Sequence, residues 1–171
     1  CMIFIFIFRC LFQLHLPTPS ANFSLQNKDF FLLSAIIVSI SLIMVSLLIV
    51  SHSEILAKGI KELAMEMSGD VVIEAVGGTA DGRLGNDYSK IYEALDKIYT
   101  NDGVLVLFDL GSSYLTAEMV KEAFEVEGRD KIRIVDAAMV EGAVISSIEM
   151  SLGRSLEEVC DKLLELKINK I

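Results

Sequence analysis

Two short runs of the chain, VSLLIV at residues 45–50 and VLVLF at 104–108, are almost wholly apolar. A strand with one wet face alternates apolar and polar residues. A run without alternation therefore reads as a strand buried on both faces, which is the usual state of a strand in a parallel sheet covered by helices. The segments after these runs change period. SEILAKGIKELAMEM, from Ser53, has apolar residues at 55, 56, 60, 63, 64 and 67, which is helical spacing, and Ser53 suits its N-cap.

The same alternation continues to the C-terminus. DVVIEAV reads as a second strand, and GGTADGRLGND, with four glycines in eleven residues, as a loop. DYSKIYEALDKIY reads as a helix with apolar or aromatic residues at 88, 91, 92, 95, 98 and 99. GVLVLFDL is the third strand, GSSY a turn, and Leu115 to Val126 the third helix. KIRIVDAAM supplies a fourth strand, and VEGAVISSIEMSLG and SLEEVCDKLLEL the last helices, with Ser155 and Glu158 spaced for a capping box. The order βαβαβαβαα predicts an α/β fold: an open, mainly parallel sheet with helices on both faces and right-handed crossovers.

The first 43 residues do not fit this frame. Arg9, Lys28 and Asp29 are the only charges from Cys1 to Met44, and Phe30 to Val50 is an uncharged run of 21 residues, long enough for a membrane span. If Val45–Val50 is the first strand, only Phe30 to Met44 remains, which is short. Met44 is well placed as an initiator, and a start at Cys1 suggests a fragment or an over-extended reading frame. The expectation is that 1–43 is an apolar extension outside the functional domain, which spans 44–171. His15 lies in the extension and receives no role.

The 127 residues after Met44 hold 13 basic and 23 acidic side chains, a net of −10. Such a charge disfavours nucleic acid and favours a basic protein partner. Cys1, Cys10 and Cys160 form neither a disulfide framework nor a CxxC metal pair. A reducing, cytoplasmic compartment fits them.

In an open parallel sheet, ligands bind outside the carboxyl ends of the strands. The predicted strands are followed there by Ser51, His52 and Ser53, by Gly77, Gly78 and Thr79, by Asp109, Gly111, Ser112 and Ser113, and by Asp136 and Ala137. An imidazole, a carboxylate, hydroxyls and Gly-rich amides thus share one rim. Neutral imidazole is a nucleophile, and a carboxylate on one ring nitrogen leaves the other bare. With Asp109 on Nδ1, Nε2 becomes the attacking atom. Helix N-termini and glycine amides suit a phosphoryl group.

Each of these residues also has a structural reading. His52 and Asp109 are reasonable helix caps, Ser112 and Ser113 ordinary N-terminal residues, and Asp136 a packing carboxylate. GGTADGRLG is neither a Walker A sequence nor a GxGxxG motif, and by itself is a turn. Only the convergence on one rim favours chemistry. No second histidine, metal cluster or hydrolase-type Ser-His-Asp order is present in 44–171, so His52 itself is the expected nucleophile and no metal is expected.

LLIVSHSEILAKGIKELA, AVGGTADGRLG, VLVLFDLGSSYLTAEM and VDAAMVEGAVISSIEMSLG resemble the DhaM family, over about residues 44–168. DhaM proteins are the phosphotransfer subunits of phosphoenolpyruvate-dependent dihydroxyacetone kinases. Their first domain is similar to the mannose-type IIA domain of the sugar phosphotransferase system (PTS). The resemblance implies that His52 accepts a phosphoryl group from phospho-HPr and passes it to ADP held by DhaL. The ATP so formed phosphorylates dihydroxyacetone on DhaK. It further implies that Asp109 orients and charge-stabilises His52, that Gly78, Thr79 and Ser112 lie near the phosphoryl oxygens, and that the domain is a homodimer binding no cofactor of its own.

Some DhaM proteins continue into HPr-like and enzyme-I-like domains. This chain stops at Ile171, which implies a single-domain form served by free HPr, and residues 1–43 have no counterpart in the family. An exposed, shallow rim around His52 is expected, with Arg83 as a possible docking charge. The alternatives are the IIA component of a mannose-type sugar transporter, or a regulatory module tethered to a membrane through Phe30 to Val50.

Overall fold

A computed structural model describes residues 44–171; the sequence expectations for 1–43, including the extension and most of the 30–50 run, lie outside the described residues. The elements are β1 (Ser46–Ser51), α1 (Glu54–Ser68), β2 (Ile73–Gly77), α2 (Tyr88–Ile98), β3 (Val104–Phe108), α3 (Gly111–Val126), β4 (Ile132–Val135), α4 (Met139–Ser151) and α5 (Leu156–Leu163), with a 3-10 turn at Leu164–Leu166. Residues 46–50 of the uncharged run belong to the sheet. Among the described residues, no helix is long and apolar enough to cross a membrane.

The four strands are all parallel, in the order β2-β1-β3-β4. β1 and β3 are the central pair and are buried along their whole length, which is why both lack polar alternation. Their side chains still alternate between faces. Leu47, Ile49, Leu105 and Leu107 pack with Ala57, Ile60, Ala64, Ala143, Leu156 and Val159, so α1, α4 and α5 cover one face. Leu48, Val50, Val104 and Val106 pack with Ile91, Leu95, Val120 and Phe124, so α2 and α3 cover the other. Fully burying each Val, Leu, Ile or Phe among them contributes about 1.5–3 kcal/mol. Ser46, buried in β1, satisfies its hydroxyl on the Ile98 carbonyl at 2.8 Å.

The chain leaves β1 for β2 on one side, then crosses back to β3 on the other. Crossovers of one hand that run in opposite directions must use opposite faces, and α1 and α2 do so. The reversal opens a crevice between the carboxyl ends of β1 and β3, the topological switch point of such sheets. The last paired residues there are Val50 and Phe108, so Ser51-His52 and Asp109 emerge side by side.

Two local expectations need correction. α3 begins at Gly111, so GSSY is its first turn rather than a turn preceding it. Helix periodicity could not see this, because Gly111, Ser112 and Ser113 carry no apolar pattern. In α1, of positions 55, 56, 60, 63, 64 and 67, only Ile60 and Ala64 are buried, joined by Ala57. The helix lies close to the sheet and to α4, so a narrow stripe of small side chains faces inward, and Ile55, Leu56, Leu63 and Met67 stay exposed.

Candidate functional site

β1 ends at Ser51, and Ser53 caps α1 by accepting from the Leu56 amide at 3.3 Å, so His52 is the single residue between the strand and the helix cap. The backbone of that turn is held from two sides. The His52 carbonyl accepts the amides of Gly78 (3.2 Å) and Gly85 (2.9 Å), which brings both ends of the Gly-rich loop onto one atom. Gly77 approaches so closely that a Cβ there would sit 2.7 Å from the Ser51 carbonyl oxygen and 2.8 Å from the Glu54 nitrogen. Gly78 takes φ +66°, a left-handed conformation that costs glycine little. Lys90 ties down the same segment, donating to the Gly77 carbonyl at 2.7 Å.

Asp109, at the end of β3, grips His52 at backbone and ring. Its Oδ2 accepts the His52 amide at 2.7 Å and the Ser51 hydroxyl at 2.8 Å. Its Oδ1 lies 3.0 Å from His52 Nδ1 and accepts the Leu110 amide at 2.7 Å and the Ser113 hydroxyl at 2.6 Å. Burial works against this carboxylate. The Ser113 hydroxyl, the His52 amide and ring, and the Ser51 hydroxyl outweigh it and hold its pKa at about 2. Asp109 is therefore an ionised acceptor at neutral pH, and in the neutral ring Nδ1 must carry the proton.

That leaves an in-plane lone pair on Nε2. Two donors converge on it: the Ser112 hydroxyl at 2.8 Å and the Asn86 side-chain nitrogen at 3.1 Å. Asn86 Oδ1 lies 2.9 Å from the buried Ser113 hydroxyl, which is thus shared between Asn86 and Asp109. About a quarter of the His52 side chain is exposed, so the ring is reachable from solvent on the Nε2 side. α1 and α2 begin with side-chain caps from Ser53 and Asp87, whereas α3 starts after Leu110 with none. Ser112 sits in the first turn of α3, so its hydroxyl reaches Nε2 from the positive end of that helix dipole.

The structure thus brings together His52, Asp109 and Ser112. Gly78 is nearby, but its amide is committed to the His52 carbonyl. Thr79 is occupied within the loop: its hydroxyl bonds Asp81 at 2.5 Å, and its amide bonds the Arg83 carbonyl at 2.9 Å. Arg83 is exposed and paired with Asp81 at 2.7 Å. Asp136 turns away from His52 toward Lys170. Its Oδ2 accepts the Lys170 amide at 2.9 Å, and Lys170 Nζ, 4.0 Å from Oδ1, donates to the carbonyls of Phe108 and Ala137. Sequence reasoning missed Asn86, which is 34 positions from His52 in a loop without periodicity. The one available signal was its position after β2, on the rim that holds the others.

Among the described residues, no group of His, Cys, Asp and Glu is disposed to hold a metal ion. The site is an imidazole whose Nδ1 faces a carboxylate and whose Nε2 meets a hydroxyl and an amide nitrogen. A family model described as "PTS system fructose IIA component" matches residues 46–160, and the chain belongs to that family. Its relatives there include the phosphoryl donor subunit DhaM of PEP-dependent dihydroxyacetone kinase 2 from Listeria innocua serovar 6a, 35% identical over 121 residues, which are 70% of this chain and 97% of that protein. The DhaM phosphoryl donor subunit of Escherichia coli K12 is 37% identical over 120 residues, 68% of this chain but 25% of that longer protein. In fold, the chain matches a crystal structure of a protein of unknown function with TM-score 0.63 and 30% identity, covering 74% of this chain and 98% of that one. It also matches the phosphotransferase system component EIIA of Streptococcus agalactiae, with TM-score 0.54 and 21% identity, over 71% and 91% of the two chains.

Proposed function

We propose that the chain is the phosphoryl donor subunit of a PEP-dependent dihydroxyacetone kinase, with His52 as the residue that carries the phosphoryl group. The observation that carries this reading is the Asp109–Nδ1 contact, which leaves Nε2 unprotonated and facing the exposed margin. The names of the relatives favour the kinase over a sugar transporter.

In the proposed cycle, the Nε2 lone pair attacks the phosphorus of phosphohistidine on HPr. The Nε2–P bond forms as the donor N–P bond breaks, and the electron pair of that bond leaves on the donor imidazole. Nε2 has no proton to lose. Nδ1–H stays on Asp109, which offsets the positive charge that grows on the ring. Ser112 and the α3 N-terminus balance charge on the phosphoryl oxygens. Such transfer depends on positioning and electrostatics rather than further covalent groups. The reverse attack, by ADP held on DhaL, returns His52 to its resting state and supplies ATP for dihydroxyacetone on DhaK. The subunit then needs no bound cofactor of its own. We further propose that it acts in the cytoplasm as a homodimer.

The test is to supply labelled phosphoenolpyruvate, enzyme I and HPr to the chain and to His52→Ala, and then to add DhaL loaded with ADP. Acid-labile label on the parent alone, discharged by DhaL, is the expected result. Label that DhaL cannot discharge would assign the chain to a sugar transporter, and no label would end the phosphocarrier reading.

A further inference from the structure

The Gly-rich loop of the rim reaches the reacting nitrogen through a residue outside its glycine motif. Gly78 and Gly85 pin the loop's ends to the His52 carbonyl, and the next residue, Asn86, is followed at once by Asp87, the N-cap of α2. Asn86 is therefore fixed between a double clamp and a helix start. Its amide must present nitrogen, not oxygen, to His52: Asp109 keeps the proton on Nδ1, so Nε2 can only accept. Ser113 Oγ lies 2.6 Å from Asp109 Oδ1 and 2.9 Å from Asn86 Oδ1, so its one proton serves the two oxygens between them, and the orientation of the amide rests on the bare Nε2. One in-plane lone pair cannot satisfy both Asn86 and Ser112. The site thus holds one donor more than the resting ring needs.

Resting on the phosphocarrier reading above, we propose that Asn86 is a catalytic residue of the phosphoryl transfer. Its amide N–H caps Nε2 in the resting protein. When the Nε2–P bond forms and takes up the lone pair, the same N–H donates to a phosphoryl oxygen. Asn86 and Ser112 then face the transferring group from the loop side and the α3 side, while the Thr79 hydroxyl donates to Asp81. No proton changes hands at Asn86, so its contribution is charge stabilisation alone.

The experiment measures phosphoryl uptake from phospho-HPr by the full chain and by Asn86→Ala, Asn86→Asp and Asn86→Gln. Imidazole nitrogen NMR of each unphosphorylated protein accompanies it. Loss of one preorganised donor slows this class of chemistry by about 10²-fold. Asn86→Ala is expected to lower kcat by about that factor with little change in the KM for phospho-HPr. Asn86→Asp, which cannot donate and repels the phosphoryl group, falls further, and Asn86→Gln recovers part of the loss. The Nε2 resonance of Asn86→Ala moves downfield as a hydrogen bond to the lone pair is removed, while Nδ1 stays protonated. Uptake by Asn86→Ala at the parent rate, or an unmoved Nε2 resonance, overturns the proposal. A parent that takes up no phosphoryl group overturns the phosphocarrier reading and this role with it. A labelled parent beside an unaffected variant overturns the Asn86 role alone.

Discussion

One oxygen of Asp109 accepts the backbone amide of His52 at 2.7 Å while the other faces its ring Nδ1 at 3.0 Å. A single carboxylate therefore fixes both where the imidazole is attached and which tautomer it adopts. Asp109→Asn keeps the shape but presents an amide in place of an obligate acceptor, so the Nδ1–H tautomer loses its stabilisation. Phosphoryl uptake is expected to fall by about 10²- to 10³-fold, the range for losing one preorganised electrostatic partner. Nitrogen NMR should show mixed tautomers. An unchanged tautomer would remove Asp109 from this role.

The same carboxylate makes stability depend on acid. Its folded pKa of about 2 lies below the ordinary value of 3.8. The unfolded chain thus binds the proton first, and the stability Asp109 contributes is fully present above about pH 4 and is lost as pH falls toward 2. Urea unfolding of the parent and of Asp109→Asn, compared from pH 5 to 2, should show a gap that narrows with acid. A constant gap would mean that the carboxylate charge adds nothing to folding.

Gly77→Ala inserts a Cβ 2.7–2.8 Å from backbone atoms of Ser51, Ser53 and Glu54. None of these is a flexible side-chain tip that can move aside. The expected cost is about 1–3 kcal/mol of stability, typical of overpacking, with a displaced His52 turn. The urea midpoint and the phosphoryl uptake rate should fall together. Full uptake at parental stability would show that the turn tolerates the methyl group.

Lys170 and Asp136 form a second charge pair, with side chains 10% and 6% exposed. Burial lowers the Lys170 pKa against the pull of Asp136 and Asp109. Lys170→Met removes the positive charge paired with Asp136 among the described residues, and breaking a buried pair in this way costs about 3–5 kcal/mol. Adding Asp136→Asn should recover much of that loss. Chemical denaturation of the two variants checks the coupling, and independent effects would show that the charges do not act as a pair.

Much of the fold was legible because its signals are local. The unalternating runs at 45–50 and 104–108 report burial on both faces, and Ser53 and the Ser155–Glu158 pair mark helix starts by chemistry confined to one turn. His52, Asp109 and Ser112 followed because the residue after a parallel strand always emerges on the same rim. The start of α3 was misjudged because Gly111, Ser112 and Ser113 have no periodicity to read. The inward side of α1 was misjudged because its close approach to the sheet selects Ala57 and Ala64 over larger apolar neighbours.

The sequence alone thus determined the order of strands and helices along the chain, the two strands buried on both faces and the rim that carries the imidazole. All of these depend on the period of the chain and the fixed polarity of a strand. Only the tertiary structure decided which rim groups meet. Asn86 reaches Nε2, Ser113 joins Asn86 to Asp109, and Thr79 is spent on its own loop, while Asp136 is matched to Lys170. Those contacts span 27 to 34 residues in the cases of Ser113 with Asn86, of Asn86 with His52, and of Lys170 with Asp136. Sequence periodicity carries no information at that range, because side chains so far apart meet only through the way the crossovers fold back onto the sheet.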